Sequence, residues 1–480
     1  MTYDLDMRSR NTELDCSFES AFFLLLSHTI PLVSEDGQIC SAWNDAAESS
    51  WLWRKLCLVR WIFCSLSNVE DGINSWKKYY IHRSKIEQHM ASGCGGADYT
   101  CTTFRGHRGR ITGLQYWSNP DNPFDTMNGK SVVCTTSTDC TLRAWSIQEG
   151  KQVWSTPVQE EPLVKLLTVP QQGLVITADS KGNIKAWNGR TGEELAVFAT
   201  SCTVYNLVAY NMDTQHCLIV GTGEGTLITL TIPQLNQISR LSLIDVNPVD
   251  FLLLSPDHKY AIAGSKSNEV PTKVLRTECL MDGLDDDRLA TDSLQINSCF
   301  TACWLPKASS RVVTMTKTNA VGFQKSIITF DLMCQTRKNK IEIQGKQVGN
   351  FTYEDAGWND IFLEGHGINT IIIAHNTEMK LFSIDGVQLA SYHEHKNTIS
   401  GISVDPFRVV TASMDLSLRV YTWKRQPNRC LSLESNYHLL GGSHMRSRGF
   451  TNVVFDHGSI VGSVQAHDGK DVLKAYNFNV

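Results

Sequence analysis

Phe104-Arg105-Gly106-His107 leads into Ile111-Thr112-Gly113-Leu114-Gln115-Tyr116. After a loop rich in Pro and Asn comes Ser131-Val132-Val133-Cys134-Thr135-Thr136-Ser137-Thr138-Asp139, and then Cys140-Thr141-Leu142-Arg143-Ala144-Trp145-Ser146. A Gly-His pair precedes one apolar strand, a second strand ends at an Asp in a tight turn, and a Trp closes a third. The spacing has a physical reason. His107, near the start of the first strand, reaches the Asp139 carboxylate, and Trp145 packs beside them. One hydrogen-bonded, half-buried cluster then ties three strands of a sheet together. His107, Asp139 and Trp145 therefore read as structural residues and not as a catalytic constellation.

The position held by Trp145 recurs at Trp187, 42 residues on, and at Leu230, 43 further. A weak copy sits near Leu275, followed by Phe330, Phe382, Tyr421 and Tyr476. Tyr421 follows Asp415 by six residues, the interval between Asp139 and Trp145, and His395 precedes both. A repeat of this length, built of short strands and turns, is the WD-repeat signature. It predicts a mainly β chain whose residues 97–480 form a β-propeller, with eight blades favoured over seven. Blades three to six lack most of the polar cluster and must rest on apolar strands. In the second blade Lys181 stands where Asp139 stands in the first, and Asp179 lies two residues earlier. The strand ending at Phe104 and the last strand, Val472 to Phe478, each lack a partner. Pairing them would close the ring and remove two exposed edges.

Net charge of -5 and a pI near 6.3 argue against nucleic-acid binding. The 15 cysteines are scattered, with no C-x-x-C and no Cys/His cluster at zinc spacing. That usage fits a reducing compartment and no bound metal. The apolar run Ala21–Val33 is too short to span a membrane and follows an acidic start, so neither a span nor a secretory signal is expected. Gly221-x-Gly223-x-Gly225 precedes a strand and not a helix, so it reads as a hairpin turn and not a phosphate loop. The acidic stretch Asp282, Asp285, Asp286 and Asp287 lacks the spacing of a calcium loop. No motif for an enzyme active site or a cofactor is present.

Ahead of the repeats, residues 1–20 read as loosely packed and 21–60 as a small helical domain. In the latter, Leu52, Trp53, Leu56 and Val59 recur at helical intervals and Ser49 or Ser50 supplies a cap. Residues 61–96 read as a helical linker. Its helix, Ile73 to His89, is expected to bury Trp76, Tyr80 and Ile86 and to turn Lys77, Arg83 and Lys85 outward. Ala91 to Gly96 breaks it.

Ile39-x-x-x-Trp43-Asn44-x-x-Ala47-x-x-x-x-Leu52-Trp53-Arg54-x-Leu56 is similar to the second half of an F-box. With Trp61, the Trp76-Lys77-Lys78-Tyr79-Tyr80 helix and the propeller behind it, the chain from Ile39 to Val480 resembles the F-box/WD-repeat proteins. The resemblance is to a divergent mammalian subgroup whose later repeats are degenerate. It implies a non-catalytic substrate receptor of an SCF-type E3 ubiquitin ligase, and the cysteine usage places it in the cytoplasm, with the nucleus as the alternative. The F-box, through Ile39, Trp43, Ala47, Leu52, Trp53 and Leu56, would dock on the small adaptor subunit and so reach the cullin. The propeller would hold an unknown protein substrate. F-boxes open with Leu-Pro and an amphipathic helix. The nearby proline here is Pro31, 12 residues before Trp43, so a WD-repeat scaffold without ligase coupling is the alternative. Substrate contacts fall to loop residues of the propeller, with Arg110 and Lys396 as candidates. Thr138 and Met414 stand where phosphate-reading relatives carry arginines, so a phosphorylated substrate is not expected.

Overall fold

The computed structural model describes residues 49–61, 64, 75–118, 130–211, 216–267, 270–280, 291–317, 324–337, 340–354, 360–425, 431–442 and 446–479. Its described strands form eight four-stranded antiparallel sheets. Blade 1 is Ile111–Ser118, Val132–Ser137, Leu142–Ser146 and Lys151–Ser155. The first strands of blades 2 to 7 are Leu163–Val169, Val204–Asn211, Phe251–Leu254, Cys299–Trp304, Ile361–His366 and Ile399–Val404. Blade 8 is Ser447–Phe455, Ser459–Ala466 and Val472–Asn477, completed by Thr100–Phe104 from the other end of the propeller. First strands of successive blades pack side by side all the way round, the eighth against the first. The expected closure is found: Thr100 pairs with Asn477 and Phe104 with Leu473.

The eight repeat residues occupy one structural position. Trp145 pairs with Val133, Trp187 with Val175, Leu230 with Leu218 and Leu275 with Ala261. Phe330 pairs with Val312, Phe382 with Ile371, Tyr421 with Val409 and Tyr476 with Ile460. All eight are buried. In blades 1, 2, 3, 5, 6 and 7 the register with the fourth strand slips by a residue at this position. A bulge there adds twist and aims the large side chain into the gap between sheets. Apolar faces of neighbouring blades share those gaps, as where Trp117, Val132, Leu142 and Trp154 of blade 1 meet Leu163 and Trp187 of blade 2.

Two described helices precede the sheets: α1, Ser50–Arg60, and α2, Trp76–Ser92. Both differ in detail from the periodic reading. Ser49 takes the N-cap place of α1 without a side-chain bond. The buried face is Trp53, Leu56 and Cys57, continued by Trp61, while Val59 is exposed. At 3.6 residues per turn Val59 lies about 240° round from Trp53, off the stripe. On α2 the stripe is Tyr79, Arg83, Ile86 and Met90. Arg83, expected outside, therefore falls on the buried face. The helix outlasts Ala91 and ends at Gly93, whose φ of +58° suits a residue with no Cβ.

Residues 75–80 belong with α1. There Trp61 meets Tyr79 edge-on, Trp53 packs on Tyr80, and Arg60 Nη1 donates to the Tyr80 hydroxyl at 2.9 Å. From residue 81 onward α2 belongs with the propeller. Ile86 and Met90 pack with Val410, Leu418, Phe450 and Phe478, and the Tyr437 hydroxyl donates to the Met90 carbonyl at 2.8 Å.

Candidate functional site

Each first strand starts, and each second strand ends, on one face of the propeller, here the loop face. In blade 1 a continuous line of bonds runs inward from it. His107 Nδ1 lies 2.9 Å from Asp139 Oδ2, His107 Nε2 lies 2.8 Å from Thr135 Oγ1, and Trp145 Nε1 donates to the same Thr135 oxygen at 2.9 Å. One proton arrangement satisfies all of it. Nδ1–H donates to Asp139, the Thr135 hydroxyl donates to Nε2, and the indole N–H takes the remaining Thr135 lone pair. Asp139 also accepts from the backbone N–H of Arg108 at 2.8 Å and the Thr141 hydroxyl at 2.6 Å. Burial by itself would raise the Asp139 carboxyl. The bonds from His107, Thr141 and the Arg108 N–H outweigh it and hold the group well below the usual range.

Blade 7 repeats the device. His395 joins Asp415 at 3.0 Å and Thr411 at 2.7 Å, Ser417 replaces Thr141, and Tyr421 takes the place of Trp145. Blade 2 keeps one part: Trp187 Nε1 donates to Thr177 at 2.9 Å. Asp179 there sits at the strand end and accepts from the backbone N–H groups of Lys181 and Asn183, both at 2.9 Å. The Lys181 ammonium turns out to Glu161. The Gly221–Gly225 stretch is a hairpin turn, with Gly225 at φ +78° and a Cβ there excluded by the Ile244 carbonyl.

Ring closure creates a feature that neither end of the propeller carries by itself. Asp471, buried in blade 8, accepts from the Ile111 N–H of blade 1 at 3.0 Å and from the Ala466 N–H at 3.2 Å. Its burial raises the carboxyl despite those bonds. At the opposite end of the same seam, buried Asp456 accepts from Ser131 at 2.5 Å and from the Ser459 N–H at 2.6 Å. Above Asp471 the seam opens on the loop face into a cleft of about 620 Å³. Arg105, Arg108, Arg446, His467, Asp468 and Lys470 border it, and all six are exposed.

Of the candidate substrate contacts, Arg110 and Lys396 both lie exposed on the loop face, but neither lines this cleft. Their backbone N–H groups bond Thr138 and Asp415. Of the F-box residues, Trp53 and Leu56 are buried together in α1 and Leu52 is half-buried, while Ile39, Trp43 and Ala47 lie outside the described residues, as do the segments 1–20 and 282–287. Among the described residues no group of His, Cys, Asp and Glu is arranged to hold a metal, and no helix is long and apolar enough to cross a membrane.

Sheets, closure and histidine lines define a WD-repeat β-propeller. Residues 98–146 match the model of the WD domain, G-beta repeat. Over 449 residues the chain is 31% identical to human F-box/WD repeat-containing protein 12, spanning 92% of this chain and 94% of that one. It is 25% identical to mouse F-box/WD repeat-containing protein 15 over 84% of this chain and 85% of the other. The chain belongs to the F-box/WD-repeat family. Among solved structures it shares its fold with Saccharomyces cerevisiae Sqt1, with a TM-score of 0.56 and 11% identity over 78% of this chain and 98% of the other. The computationally designed Ika8 protein is similar in the same way, with a TM-score of 0.55, 16% identity and the same coverage.

Proposed function

We propose that this protein is a non-catalytic, substrate-recruiting subunit of an SCF-type E3 ubiquitin ligase, with the helical segment before the propeller docking on the adaptor subunit and the propeller holding the protein to be ubiquitinated. The observation that carries the reading is similarity to an F-box/WD-repeat protein along 92% of the chain, a span too long to be confined to the propeller. The loop face supports it with a preformed cleft bordered by charged side chains, in keeping with recognition and not bond chemistry. The proposed partners are the adaptor, the cullin behind it and a protein substrate, and the proposed location is the cytoplasm with the nucleus second. The receptor contributes proximity; the catalytic step belongs to other subunits.

A second reading, a WD-repeat scaffold that has lost ligase coupling, is favoured by one observation: the Leu-Pro opening of an F-box has no counterpart ahead of Trp43. A pull-down of the full chain against purified adaptor separates the two. Capture by the unaltered chain, lost in the Trp43→Ala plus Leu52→Ala variant, supports the receptor. A folded chain that fails to capture the adaptor leaves the scaffold.

A further inference from the structure

We propose that the cleft at the seam between blades 8 and 1 is a docking site for a carboxylate-rich, unphosphorylated segment of a partner protein. The proposal rests on the loop face being the recognition surface and not on adaptor docking.

Charge balance comes first. The lining holds Arg105, Arg108, Arg446 and Lys470 against Asp468 and Asp471. Asp471 is buried, with both oxygens on backbone N–H groups, so it offers little to a ligand. No hydrogen bond or ion pair with another described residue engages the four cationic head groups. Basic side chains elsewhere on the propeller commonly have partners: Lys181 with Glu161, Lys185 with Glu194, Arg419 with Glu394. A net positive charge around a concave surface focuses the field on what enters it.

The walls are also held in place before anything binds. Asp139 fixes the Arg108 backbone, the His467 N–H donates to the Arg446 carbonyl at 3.1 Å, the Asp471 N–H donates to the Gly109 carbonyl at 3.2 Å, and Arg448 Nε donates to His467 Nδ1 at 3.3 Å behind the rim. Pre-organisation of this kind lowers the ordering cost of association.

The form of the charge selects the ligand. A phosphate is best held by guanidinium forks that are fixed and shielded from water. These four cations are all exposed and spread over two walls, which suits several carboxylates distributed along an extended chain. A cleft of about 620 Å³ has the size that takes a short segment.

The test is fluorescence anisotropy with the full chain and labelled peptides of equal length: one rich in Asp and Glu, its Asn/Gln counterpart, and one with phosphoserines matched in net charge. The acidic peptide binds, the Asn/Gln peptide binds at least about ten-fold more weakly, and raising salt from roughly 50 to 300 mM weakens the acidic complex. Arg105→Glu with Arg446→Glu reduces affinity about ten-fold or more, and Lys470→Gln reduces it less, while Lys259→Glu, whose parent lysine pairs with Asp257, stays within about two-fold. Undiminished binding by the folded double variant overturns the site. Preference for the phosphoserine peptide, with the acidic one unbound, overturns the ligand. Neither outcome depends on the adaptor, so loss of ligase coupling in the pull-down leaves this result standing.

Discussion

Blades 1 and 7 hold their strands together with a polar line, and blades 3, 4 and 6 do it with hydrocarbon. Where Thr135 and Thr411 sit, the apolar blades carry Val220, Ala263 and Ile373, all fully buried. Where Trp145 and Tyr421 sit, they carry Leu230, Leu275 and Phe382. The two replacements go together for a reason. A buried indole N–H needs a partner, and in blades 1 and 2 the threonine hydroxyl is that partner. Remove the threonine and the ring beside it must lose its polar atom too. Blade 5 mixes the two solutions. It retains Thr314, whose hydroxyl donates to the Ile328 carbonyl at 3.1 Å, and with no indole to serve it places Phe330 at the repeat position. Blade 8 has Gly462, with the Phe450 ring laid against it, and sends the Tyr476 hydroxyl out to the Leu440 carbonyl at 2.7 Å.

Substitutions can break this contrast. The largest effect is expected from Trp145→Ala, which opens a cavity and removes the indole bond to Thr135, at about 3–5 kcal/mol in urea unfolding. Thr135→Val leaves two buried groups, His107 Nε2 and Trp145 Nε1, without their acceptor or donor, and should cost about 2–3 kcal/mol. The reciprocal change, Val220→Thr in blade 3, buries a hydroxyl with no indole to meet it and should cost about 1–3 kcal/mol. If Thr135→Val were neutral, the pairing rule would be wrong. Ile373→Val in blade 6 removes one methylene and should cost about 1 kcal/mol.

Acid separates the two kinds of blade again. Asp139 and Asp415 are both depressed from an ordinary value of 3.8, so the stability they supply is present above that value and lost as pH falls through their folded values. Unfolding midpoints measured from neutral pH downward should therefore drop on the acid side. Asp139→Asn, already weaker at neutral pH, should show a shallower decline.

Much of this was legible in the chain. Periodic large residues marked all eight blades because each fills the same position on a third strand, bulged in six of them. The His–Asp interval marked both polar lines because a short turn carries the Asp. The registers of α1 and α2 were read less well: several apolar residues compete for the stripe, and Val59 and Arg83 fell on the sides opposite to those expected. The cleft was not legible. Its walls come from residues 105–108 and 446–472, which only the pairing of Thr100–Phe104 with Val472–Asn477 brings together. Read locally, Arg105 and Arg446 are scattered cations. A useful signal was available in retrospect: the two strands expected to close the ring are each flanked by basic residues.

The polar line of blade 1 has a consequence the apolar blades lack, since Asp139 also anchors the segment that carries Arg108 into the cleft. Hydrogen–deuterium exchange of the Asp139→Asn variant tests that link directly. Exchange should quicken at residues 105–111 and 137–142 while blades 3 to 6 keep their protection. Unchanged protection at 105–111, or a loss spread evenly over all blades, would contradict it.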